Sequence, residues 1–142
     1  MKIQVKVNNW FYYSVGLIGV FSAVTHTIDG NGTELPMLYS SNLESMRQAI
    51  FVFNYHIVAA DHLGLGIALI IMAFYRNMII AKSAAYVVIL IMLARVIVCV
   101  LTVFATLNNT GYIGTFWIPA IANTICIISL WLGTKVKSKE AI

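Results

Sequence analysis

Hydrophobic residues fill four long stretches of the chain: Trp10 to Ile28, Ala49 to Tyr75, Ser83 to Thr106 and Tyr112 to Thr134. Polar and charged residues fall mostly between them. At a rise of about 1.5 Å per residue, about 20 apolar residues cross the hydrocarbon core of a bilayer, and in lipid the backbone must satisfy its own hydrogen bonds. The pattern predicts an all-α integral membrane protein, an antiparallel four-helix bundle with helices over about 10–28, 42–76, 83–106 and 112–134. These would make one transmembrane domain over residues 1–142.

The first connection is the longest. Gly30 and Gly32 are expected to break the first helix. The apolar Leu35-Pro36-Met37-Leu38-Tyr39 stretch is too short to span, so it should lie along the outer interface or fold over the bundle mouth. Ser41-Asn42-Leu43-Glu44 reads as a capping box that starts the second helix near Asn42. The other two connections are short enough for helical hairpins. Gly16, Gly19, Ser22 and His26 place small residues on one stripe of the first helix, where another backbone can approach closely. Pro119 predicts a kink in the fourth helix.

Composition strengthens the membrane reading. The 142 residues are 61% hydrophobic and 10% charged, with a mean hydropathy of +0.88. A soluble domain carries roughly 25% charged residues. The net charge of +4 does not point to nucleic acid, because the basic residues sit at the ends of apolar segments instead of forming one face. Lys2, Lys6, Arg76, Lys82, Lys135, Lys137 and Lys139 all fall on one side, against Arg47 alone on the other. That bias predicts cytoplasmic termini. Trp10, Tyr12, Tyr13 and Trp131 fit an inner aromatic belt, and Tyr112 and Trp117 an outer one. The first apolar run is too long for the core of a signal peptide and lacks a small-x-small cleavage site. Cys99 and Cys126 lie inside apolar runs with no metal-ligand spacing and read as small hydrophobes. The sequons at Asn31 and Asn108 matter only in a secretory pathway.

Ionisable residues inside membrane helices cost free energy, which makes them functional candidates. Asp61 and Arg95 are 15 residues from Arg76 and 13 from Lys82. Both would therefore stand about 20 Å above the same boundary, as an ion pair is expected to do. His26, His56 and His62 fall in the outer half, with Asp29 one turn beyond His26 and in reach of His56. His56 and His62 are about 240° apart around the second helix, which argues against one three-histidine centre. Arg47, Asn54 and Asp61 repeat every seven residues, and that face is expected to look into the bundle. Asn123 is placed to complete a polar layer with Asp61 and Arg95. Each of these also has a plain structural reading as interhelical hydrogen bonding.

His26-Thr27-Ile28-Asp29-Gly30, Glu34, Leu35-Pro36-Met37-Leu38, Arg47 and Tyr55-His56 together resemble a group of small, largely uncharacterised bacterial four-helix membrane proteins. Tyr55 stands where that group more usually has tryptophan. The resemblance covers about residues 14–66. It implies a bacterial inner membrane and raises His26 and His56, as a pair, above His62. It implies no reaction.

Two function classes follow. One is an outer-half pocket lined by His26, Asp29, His56, Asp61, His62, Arg95 and Asn123 that binds a small ligand or cofactor: a metal ion, with only His26 and His56 as candidate ligands, a haem or a quinone. The other is a non-enzymatic accessory subunit or homo-oligomer whose polar residues only hold helices together, with lipid and a membrane-complex component as partners. The absence of GxSxG, Walker, HExxH and nucleotide-binding glycine motifs argues against a soluble-type enzyme.

Overall fold

A computed structural model describes residues 8–105 and 113–136. No strand occurs among them. Helix α1 spans Trp10–Asp29 and passes through a π-helical turn, Gly30–Glu34, into the short α2, Leu35–Tyr39. Helix α3 spans Ser45–Phe74, α4 Met78–Ala105 and α5 Ile113–Thr134. Four helical stretches among the described residues are long and apolar enough to cross a membrane: Trp10–Tyr39, Ser45–Phe74, Met78–Ala105 and Trp117–Thr134. Their outward surfaces are apolar, with Ile79 78%, Ile118 71% and Leu90 70% exposed. Contiguous surface of that kind suits lipid. Lys2, Lys6, Lys137, Lys139, Asn108, Tyr112 and the 107–111 connection lie outside the described residues.

Several boundaries differ from those read in the sequence. Gly30 and Gly32 do not break the first helix: no glycine among the described residues has a positive φ, and the chain stays helical to Tyr39. The 41–44 capping box does not form. Ser41 Oγ instead donates to the Leu38 carbonyl at 2.6 Å, closing the end of α2. The Gln48 side-chain amide reaches back to the carbonyls of Leu38 and Ser41, both at 3.3 Å. Helix α3 then starts at Ser45, where the Glu44 carbonyl accepts its first bonds from the Arg47 and Gln48 amides. Helix α4 starts five residues before the expected Ser83, because Asn77 Oδ1 caps the amides of Ile79 and Ile80. Lys82 sits half-buried within it, which a long aliphatic stem allows.

The chain packs as two compact units, Met1–Val15 with Ile71–Ile142, and Gly16–Ile70. In the first, α4 and α5 pack together. Ala81, Ala85, Val88 and Met92 recur every three or four residues and form a buried stripe on α4. Two asparagines clasp the helix ends of this unit. The amides of Asn8 and Asn9 donate to the Ala73 carbonyl at 2.9 and 3.1 Å. The Asn8 side chain reaches the Phe74 carbonyl at 3.1 Å. The buried Asn9 side chain donates to the Gly133 carbonyl at 2.9 Å and caps α1 by accepting from the Tyr12 amide at 3.3 Å. The start of α1 is thus bonded to the ends of both α3 and α5, whose last carbonyls have no partners inside their own helices. Tyr12 packs fully buried against Gly133, where an added Cβ would stand 2.5 Å from its ring.

In the second unit, the small residues of α1 meet Gly66 of α3. A Cβ on Gly66 would stand 2.7 Å from the Val20 amide nitrogen and 2.8 Å from the Gly16 carbonyl oxygen. The buried stripe on α3 within this unit is Tyr55, Ala59, Gly66 and Leu69. The Arg47–Asn54–Asp61 face, expected to point inward, is exposed. Backbone proximity accounts for the difference, since the face that packs is the one whose side chains let the helices close up.

Candidate functional site

The second unit is organised around Tyr55. This α3 residue is buried with Leu35 and Leu38 of α2, so the Leu-Pro-Met-Leu element packs onto it as a helix. Its hydroxyl donates to the His26 carbonyl at 2.5 Å. In an uninterrupted α-helix that carbonyl accepts from the Gly30 N–H, four residues on. A side-chain hydroxyl inserted into the ladder is a known cause of helix distortion, and the widening to a π turn begins at this point. The Leu35 amide then bonds the Gly30 carbonyl, five residues back. Gly30 is needed here for space, because a Cβ would run into the Tyr55 ring.

Two imidazoles flank this tyrosine. The His26 ring stacks on its face, with centroids 3.9 Å apart and planes 13° apart. The His56 ring meets its edge at 6.1 Å and 89°. His26 Nε2 is buried and has no hydrogen-bond partner among the described residues. An unpartnered buried polar atom of this kind is uncommon and calls for an explanation. His56 is exposed and lines an open groove of about 430 Å³ between α1 and α3. Ala23 and Ala59, both buried, form its floor, with Ala60 beside them. Val24, Ile28 and Leu63 flank it. Thr27 is its second polar residue, but that hydroxyl donates to the Ala23 carbonyl at 2.8 Å.

The other candidates are more dispersed. Asp29 is exposed and accepts from Thr33 Oγ1, at 2.7 Å on its carbonyl and 3.1 Å on its carboxylate. Asp61 is exposed, His62 and Arg95 are half-buried, and all three are engaged with partners. Asp61 and Arg95 belong to different units, so their pairing remains an expectation from the sequence. The Asn123 side chain donates to the Pro119 carbonyl in its own helix at 2.8 Å. No group of three or more His, Cys, Asp or Glu suited to a metal ion occurs among the described residues. Sequence reasoning did not select Tyr55 or Thr27 as site residues. The available signal was an aromatic immediately before an intramembrane histidine, which marks a place where one ring can order another. No protein-family model, curated protein or solved structure matches the chain.

Proposed function

We propose that the chain is a multi-pass protein of a bacterial inner membrane, an antiparallel four-helix bundle with cytoplasmic termini, that binds a small ligand through His56 in the groove beside the stacked Tyr55 and His26 rings. The topology is supported by the Asn8–Asn9 clasp, which bonds the start of α1 to the ends of α3 and α5. Lys2, Lys6, Arg76 and the lysines after α5 adjoin those same ends, and such basic clusters face the cytoplasm. The order of contacts in the second unit supports antiparallel packing of its two long helices: Gly16 lies against Ile70, and Gly30 against Tyr55.

One observation carries the binding role. A single buried tyrosine holds both imidazoles while its own hydroxyl is tied to the backbone, leaving His26 Nε2 without a protein partner and His56 facing the groove. Asp29, Asp61, His62, Arg95 and Asn123 enter as secondary polar positions, on the sequence argument alone. Mild-detergent purification, solvent extraction and mass spectrometry test the proposal. The wild type should release a bound small molecule at near one per chain. Ala60→Leu, which fills the groove without altering a histidine, should release about tenfold less. Equal recovery from both proteins would remove the groove from the proposal.

A further inference from the structure

We infer that the α1–α3 groove takes a neutral, single-chain amphiphile entering sideways from the bilayer, with a hydroxyl or carbonyl head hydrogen-bonded to His56. The inference rests on the proposed binding role of this groove and adds the chemical class of its ligand.

The lining sets that class. Of eight lining residues, six are aliphatic: Ala23, Val24, Ile28, Ala59, Ala60 and Leu63. The groove has no carboxylate, ammonium or guanidinium in its wall. A ligand carrying a full charge would enter an apolar channel with no counter-charge, at a large desolvation cost. An entirely apolar chain would leave the His56 imidazole facing hydrocarbon. Thr27 can only accept from a head group, because its hydroxyl proton is already given to the Ala23 carbonyl. The His56 imidazole, with the Thr27 oxygen as a further acceptor on an otherwise aliphatic channel, matches one polar head on one apolar chain.

Size and shape favour a chain over a packed helix. The lining covers residues 23–28 of α1 and 56–63 of α3, which is about 10 Å, or two turns. The glycines that would admit another backbone, Gly16, Gly19 and Gly66, are already closed against one another. Val24, Ile28 and Leu63 stand 49%, 67% and 41% exposed on the groove's flanks, where they would hold an incoming helix away from the alanine floor. The volume of about 430 Å³ lies within the range usual for small-ligand sites.

The test uses the full chain in lipid nanodiscs and three photoactivatable probes. Each probe has a sixteen-carbon chain bearing a diazirine, and the heads are a hydroxyl, a carboxylate and a trimethylammonium. The expected result is labelling of peptides containing residues 23–28 and 56–63, about tenfold stronger for the hydroxyl probe. His56→Phe should keep the labelling and abolish the preference among heads. Ala60→Leu should abolish labelling by all three. Equal labelling of the wild-type groove by the three heads would overturn the ligand class while leaving the groove as a binding site. No groove labelling by any probe would overturn both. Efficient disulfide formation between two copies of an Ala60→Cys variant lacking Cys99 and Cys126 would also overturn the inference, by assigning the groove to a second copy of the chain.

Discussion

The Tyr55 ring lies flat on the His26 imidazole, 3.9 Å between centroids, while its hydroxyl donates to the backbone carbonyl of the same histidine. One side chain thereby fixes both the orientation of the imidazole and the path of the helix that carries it. Tyr55→Phe keeps the stack and removes the hydrogen bond, so it should lower stability by about 1 kcal/mol. Tyr55→Ala also removes the ring from its cluster with Leu35 and Leu38, and should cost about 3–5 kcal/mol. Unfolding titrations in mixed detergent micelles would measure both. Equal losses from the two variants would contradict a packing role for the ring.

Two glycines of α3, two residues apart, should respond to alanine with opposite signs. Gly64 has no atom within 4 Å of an added Cβ, so Gly64→Ala should stabilise the helix by up to about 1 kcal/mol. At Gly66 the added Cβ meets the backbone of α1, and Gly66→Ala should destabilise by about 1–3 kcal/mol. The same detergent titration reads both effects.

Asn9 is buried and both caps α1 and bonds Gly133. Replacing it by alanine removes a cap worth about 1 kcal/mol and the buried side-chain bond to the Gly133 carbonyl, which keeps only the Val136 amide as a donor. Asn9→Ala should cost about 2–3 kcal/mol. Asn8→Ala should cost less than about 1 kcal/mol, because its side-chain bonds to Phe74 and Tyr75 are exposed. Comparable losses at the two positions would show that the buried bond carries no special weight.

The proposed topology places residues 40–44 outside and 75–77 inside. In a background with Cys99 and Cys126 replaced by serine, a membrane-impermeant maleimide applied to intact spheroplasts should label Ser41→Cys. It should label Asn77→Cys only after lysis. The reverse pattern would invert the orientation.

The four long helices were readable because lipid imposes a crude rule, a sustained run of apolar residues, and such runs need no tertiary information. The boundaries were less readable. Ser41 had the residue type of an N-cap but ended the preceding helix instead, with its hydroxyl donated to the Leu38 carbonyl. Gly30 suggested a break by composition, whereas its role depends on a tyrosine 25 residues away in the sequence. His26 and His56 were visible as expensive intramembrane groups. The ring between them was not, since a tyrosine in an apolar run resembles any other core aromatic. On α3, polar residues at heptad spacing suggested the wrong inward face. The small residues at 59 and 66 were the better guide, because close helix approach is decided by what side chains leave out.

Between Gly30 and Glu34 the helix carries one more residue than its regular winding requires. Every position beyond that turn is offset from the register set by α1. Removing a single residue such as Asn31 would restore regular winding with Leu35 and Leu38 still against the ring they cover, whereas rewinding the turn with every residue kept would swing them by about 100° around the axis. An alignment that treats 10–39 as a uniform helix would then match side chains to the wrong side of the rod.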